Sequence, residues 1–144
     1  MEQKTKTQFD DILGKKIVQI FMNDEKCTIA FKTPDGLIQY YADGDCCSRS
    51  WFQHFSGLEA LVGSVINEII EHDDITLDAV DKRRTPETDC ERVYGWTFIT
   101  NRGRADLDMR NDSNGYYGGS VELYGSTPWR DYPETPSIEI KDDF

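Results

Sequence analysis

Four cysteines and two histidines are the side chains here best suited to nucleophilic or metal chemistry. Cys46 and Cys47 are adjacent within Asp43-Gly44-Asp45-Cys46-Cys47-Ser48, Cys27 and Cys90 stand apart, and the histidines are His54 and His72. A zinc site built on cysteine ordinarily uses a Cys-x-x-Cys spacing, and none is present. Vicinal cysteines point in different directions and rarely hold one tetrahedral ion. A metal would therefore need Cys46 or Cys47 to meet His54, His72, Cys27 or Cys90 across the fold. A cysteine nucleophile needs a base and a group that orients it. His54 follows Cys47 by seven residues, with no signature of a catalytic pair around either. The simpler account buries one cysteine as a small hydrophobe and lets Asp45 cap the turn before Trp51. There is no Gly-rich phosphate loop, no Gly-x-Ser-x-Gly elbow, no His-Glu-x-x-His and no EF-hand loop. The chain reads as a non-enzyme, with no catalytic residue, no metal and no cofactor.

Binding chemistry is better represented. The net charge is −11, from 27 acidic and 16 basic residues. Residues 61–91 concentrate it, with nine acids against three bases. Asp73, Asp74, Asp78, Asp81, Glu87, Asp89 and Glu91 lie there, interrupted by Lys82-Arg83-Arg84 and Pro86. Carboxylates spaced along one surface can imitate a phosphate backbone and occupy a basic groove on a nucleic-acid-binding protein. A solvated acidic loop is the plainer fate of such a run. Tyr116 and Tyr117, in Asn114-Gly115-Tyr116-Tyr117-Gly118-Gly119, and Trp129 in the tail are candidate aromatic anchors. The tyrosines alternate in direction, so one is expected to be exposed. A hairpin turn that needs Asn-Gly explains the same residues without function. Arg102, Arg104 and Arg110, with a stacking aromatic, could hold a nucleotide phosphate; scattered surface arginines are the plainer account.

Composition narrows the setting. The chain has 144 residues, one ordinary domain in size, and its seven Phe, seven Tyr and three Trp can fill a core without a disulfide or metal staple. The acidic balance repels free nucleic acid and anionic membranes and suits a basic protein partner. No apolar run approaches the roughly 20 residues needed to span a bilayer. The start, MEQKTKTQFDDILGKK, lacks an apolar signal core, so a cytoplasmic location is expected.

These residues need elements to position them. Residues 7–13 predict a short helix, with Thr7 as N-cap and Gly14 as its end. Segments 16–22, 27–32 and 37–42 alternate apolar and polar residues between tight turns and predict a three-stranded antiparallel meander. The aromatic-dense 49–55 suggests a helical turn, and 57–62 a short helix closed by Gly63. Residues 64–72 are β-branched and lean to a strand. RVYGWTFITN, RADLDMRN and GGSVELYG predict a second meander, with Ala105, Leu107 and Met109 inward in its middle strand. The Pro-rich residues 125–144 read as an extended acidic tail over a 7–124 core, with Ile138 and Ile140 able to add an edge strand. The expected fold is one α+β domain over 1–144: two small antiparallel meanders with one or two short helices.

Three segments together carry a resemblance: LGKKIVQI with its hairpin, DGDCCSRSWF followed by GLEALVGSVI, and SNGYYGGSVELY. With them the chain resembles an uncharacterised family of small phage and prophage proteins, a domain of unknown function, over residues 12–124. The resemblance implies a phage or mobile-element setting and transfers no activity.

The expectation that follows is an acidic, cytoplasmic accessory protein that binds a basic or nucleic-acid-handling host protein. In its most concrete form it inhibits a defence complex in the manner of an anti-CRISPR, as a DNA mimic. Asp73, Asp74, Asp78 and Asp81 would steer, and Tyr116, Tyr117 and Trp129 would anchor. The alternatives are a protein that sequesters a nucleotide signal and a metal-binding protein or minor enzyme. No direct contact with nucleic acid or membrane is expected. Exposed sheet edges would permit a homodimer.

Overall fold

Alternating apolar residues and tight turns build the first sheet. Strands β1 (Gln19–Met22), β2 (Thr28–Thr33) and β3 (Gly36–Gly44) pair antiparallel in sequence order. Asn23 fixes the first turn: its Oδ1 accepts the N–H groups of Cys27 at 2.9 Å and Thr28 at 3.1 Å. Thr33 fixes the second, where its Oγ1 donates to the Gly36 carbonyl at 3.0 Å and accepts from the Asp35 N–H at 3.2 Å. The structure is a computed structural model that describes residues 6–44, 49–77, 90–113, 119–124 and 135–144, with the backbone alone at 73–77, 90, 91 and 113.

The second sheet contains β4 (Arg49–Ser56), β5 (Glu68–Leu77), β6 (Cys90–Thr100) and β7 (Gly103–Ser113), in the order β4-β7-β6-β5. Two more strands extend the first sheet. β8 (Gly119–Leu123) pairs with β3, and β9 (Ile138–Glu139) pairs with β1, which gives the order β8-β3-β2-β1-β9. The second expected meander therefore splits: its last strand crosses to the first sheet, and β4 takes the place beside β7.

The α+β expectation is corrected to all-β. Among the described residues, helical structure is limited to a 3-10 turn at Asp10–Ile12 and the four-residue helix α1 (Leu58–Leu61). Residues 49–55 are strand, not a helical turn. In β4 the side chains of Ser50, Phe52 and Phe55 are buried, facing Asn111, Met109 and Leu107 of β7, and a register shift at Gln53 keeps both phenylalanines inward. Pairing with β7 decides the conformation of a segment whose local pattern is ambiguous.

Phe9 sits where the sheets meet. Fully buried, it contacts the rings of Phe31, Tyr40, Trp96 and Phe98 edge-on, with centroids 6.1, 4.7, 5.1 and 5.5 Å away. The core thus draws Ile20, Phe31 and Tyr40 from one sheet and Phe52, Phe98 and Leu107 from the other. Two seams close the sandwich. At one corner, between the chain entering β1 and the chain entering β5, the Gly14 and Ile17 N–H groups donate to the Ile66 and Ser64 carbonyls and the Gly63 and Ile66 N–H groups to the Ile17 and Lys15 carbonyls, at 2.6–3.2 Å. At the other, residues 137–144 run from β1 to β4. The Ile140 N–H donates to the Ile20 carbonyl at 2.8 Å, and Phe144 and Phe55 exchange backbone bonds of 2.9 and 3.0 Å. Asp143 accepts the N–H groups of Gly57 at 3.1 Å and Leu58 at 3.0 Å, which caps the start of α1.

Candidate functional site

A cleft of about 630 Å³ opens between the sheets, within the range of ligand-binding clefts. Its walls are the segment 7–13, the edge strand β5 over Glu68–His72, and the start of β8. The buried Trp96 and Met109 and the half-buried Tyr94 form its floor. Period-two alternation puts them there: Tyr94, Trp96 and Phe98 share the inward face of β6, and Glu71 stands opposite Trp96 on β5. Hydrogen bonds hold the floor in place. Trp96 Nε1 donates to Gln8 Oε1 at 3.2 Å, and the Tyr94 hydroxyl accepts the Gly119 N–H at 3.1 Å. Among the described residues the lining carries three carboxylates, Asp10, Glu68 and Glu71, and no lysine or arginine. Glu68 and Glu71 are exposed. An aromatic floor bordered by carboxylates is a chemical match for a cation.

The opposite face of the second sheet carries a polar relay. His72 Nε2 and Thr97 Oγ1 are 2.7 Å apart, and Thr97 Oγ1 donates to Asp106 Oδ1 at 2.6 Å. Arg104 completes the chain with bonds to both Asp106 oxygens at 3.1 and 2.8 Å. Partial burial acts to raise the Asp106 carboxyl. The Arg104 and Thr97 hydrogen bonds, the Arg104 charge and a smaller electrostatic contribution from His72 outweigh it, so the group sits below the ordinary aspartate value of 3.8. An ionised Asp106 can only accept, so the threonine proton points to Asp106 and His72 Nε2 must donate to Thr97. That is the reverse of an activated nucleophile, whose proton must be handed to the histidine. Thr97 is also 3% exposed. The relay ties β5, β6 and β7 together.

Of the predicted binding residues, Asp73 and Asp74 lie on β5 at the register shift between His72 and Ile75. Asp78, Asp81, Tyr116, Tyr117 and Trp129 lie outside the described residues, as do Cys46 and Cys47. Cys27 Sγ accepts from Asn23 Nδ2 at 3.1 Å beside the first turn. His54 and His72 face outward on β4 and β5, and no group of three or more His, Cys, Asp or Glu among the described residues is arranged to hold a metal ion. The arginines proposed for a phosphate are engaged. Arg102 Nη1 donates to the Val62 carbonyl at 2.9 Å, Arg104 pairs with Asp106 at 2.8 Å, and Arg110 pairs with Asp108 at 3.4 Å. A phosphate at Arg104 or Arg110 would compete with a carboxylate already paired there. Among the described residues, no helix is long and apolar enough to cross a membrane.

Sequence reasoning missed the cleft. Glu68, Glu71 and Asp10 lie far apart in the chain, and Trp96 reads simply as a core residue. The available signal was Glu71, a charge on the inward-facing phase of a strand.

A family described as a domain of unknown function, DUF7448, matches residues 10–123. The uncharacterised protein L278 of Acanthamoeba polyphaga mimivirus is 36% identical over 98 residues, covering 67% of this chain and 75% of the viral protein. No solved structure matches significantly.

Proposed function

The chain belongs to the DUF7448 family of unknown function, and from that premise we propose that it is a binding module whose inter-sheet cleft takes a lysine or arginine of a basic partner protein. The observation that carries the reading is the cleft lining: Asp10, Glu68 and Glu71 border it beside Tyr94 and Trp96, with Glu71 on the inward phase of β5 opposite Trp96, and no lysine or arginine among the described residues lines it. The net charge of −11 acts in the same direction at longer range and steers a basic partner toward the surface. The module works by attachment, without catalysis.

The similarity to a viral protein supports a viral accessory role, with the phage or prophage setting as its narrower form. The most specific version has the module occlude a host nucleic-acid-handling protein in the cytoplasm, with its carboxylates in place of phosphates. The acidic charge supports that version.

Isothermal titration with a short lysine-rich peptide, at low and high salt, tests the cleft. The expected result is binding that weakens with salt and falls about tenfold in the Glu68→Lys, Glu71→Lys double variant. Binding that survives the double reversal unchanged would refute the assignment. A pull-down from host lysate with the same two proteins then addresses the partner: a band retained by the wild type and lost by the variant is expected.

A further inference from the structure

We infer that the basic segment enters the cleft as an added β-strand along the free edge of β5; this rests on the reading of the cleft as a cation site. β5 is the last strand of its sheet, paired with β6 on one side. Its other edge, over Glu68–His72, lines the cleft. Among the described residues, the hydrogen bonding of this stretch beyond the β6 ladder is the His72 contact with Thr97, which runs across the outer face and does not use the edge. In an antiparallel strand, alternate residues turn their N–H and C=O groups away from the paired side, so this edge offers a ready template. Five residues span about 17 Å, enough for a short peptide strand.

β8, an end strand of the other sheet, lies across the cleft at Gly119–Val121. Tyr94 holds Gly119 through its hydroxyl at 3.1 Å, so the walls are set by a side chain of the floor. Alternation decides which side chains of an incoming strand meet what. Ile69 and Glu71 stand opposite Phe98 and Trp96 on the inward face, whereas Ile70 and His72 stand opposite Thr97 and Gly95 on the outward face. A lysine placed beside Glu71 would face inward, about 5 Å from that carboxylate's strand position and over the aromatic floor.

The occupant is a partner protein rather than a second copy. Pairing two β5 edges would set Glu68 and Glu71 of one chain against those of another, between molecules that each carry −11. An extended segment with alternating lysine or arginine has the complementary charge.

The test uses the whole chain, labelled with 15N, and a probe of five residues, acetyl-Val-Lys-Val-Lys-Val-amide. Two further probes carry backbone N-methyl groups on alternate residues, one in each phase, and a fourth replaces both lysines with glutamate. Strand addition predicts shifted and exchange-protected amides within Glu68–His72. It also predicts that one methylated phase binds about tenfold more weakly while the other stays within about twofold, because only one phase faces β5. If the lysine probe binds and shifts the Trp96 indole, but the β5 amides stay silent and both methylated phases bind alike, strand addition is overturned and the cation cleft stands. If no lysine probe perturbs the cleft at millimolar concentration, or the glutamate probe binds equally well, both readings fall.

Discussion

Replacing Phe9 with alanine removes a ring that four other aromatic rings hold edge-on across the two sheets. The side chain is fully buried, and its nearest ring, Tyr40, is centred 4.7 Å away. Burial of a phenylalanine contributes about 1.5–3 kcal/mol. Edge-to-face pairs add about 0.5–1.5 kcal/mol each, though neighbouring terms do not sum fully. Sheets joined by strand pairing cannot collapse into the void, so a loss of about 4 kcal/mol is expected, within the usual span for Phe→Ala. That is a large part of the 5–15 kcal/mol that holds an ordinary domain. For a chain of this length it lowers the melting temperature by about 12 °C. Urea denaturation followed by circular dichroism measures it, with Phe9→Leu as a control that should lose about half as much. The same variant should weaken the lysine probe, because Thr7, Gln8, Asp10 and Leu13 line the cleft on either side of the anchor. A loss below about 1.5 kcal/mol with an unchanged urea m-value would refute the reasoning. Phe9 would then not be a core residue, and the cleft would lack its wall.

Two further outcomes follow from single residues. Tyr40 is fully buried and donates to Asp11 Oδ2 at 3.1 Å; burial, then the Asp11 charge and hydrogen bond, push its hydroxyl above the ordinary value of 10.0. A folded-state value raised in this way stabilises fully below about pH 10 and is lost as pH rises further, since the unfolded chain alone releases the proton. Urea midpoints should therefore fall above about pH 10, and Tyr40→Phe should flatten that fall while losing about 1 kcal/mol at neutral pH. Gly57 has φ +78°, and a Cβ there would lie 2.2 Å from the Arg104 carbonyl oxygen. Gly57→Ala should cost at least about 2 kcal/mol, whereas Gly14→Ala, at φ +79° with open space around it, should cost about 1 kcal/mol. Equal losses in thermal melts of the two variants would remove the close-approach argument.

Much of the strand content was legible. Ile29 and Phe31 alternate against Thr28 and Ala30, turns at Asn23 and Thr33 carry their own side-chain bonds, and Ala105, Leu107 and Met109 alternate against charges. The helix at 57–62 was legible as well, as α1 with Gly63 beyond it in the left-handed region. Residues 49–55 misled because Trp51, Phe52 and Phe55 do not alternate cleanly; the register shift near Gln53 that keeps Phe52 and Phe55 inward leaves no local mark. Residues 7–13 misled because Thr7 does hydrogen-bond like a cap, accepting the Phe9 N–H at 3.2 Å, yet Phe9 is drawn into the core and the helix stops at one 3-10 turn. The acidic focus was sought at 73–91, whereas the cleft uses Glu68 and Glu71 just before it and Asp10 from the other end of the chain.

By itself the sequence determined the strands outside residues 49–56, their turns, the acidic balance and the lack of a familiar catalytic signature. Those properties are local or additive, since alternation, turn chemistry and charge are set by neighbours within a few residues. Tertiary structure decided which sheet each strand joined, which strands became edges, and which carboxylates came to share one cleft. Those outcomes depend on contacts between residues far apart in the chain, such as Phe9 with Trp96 and Phe55 with Phe144, whose energy appears only once both sheets are in place.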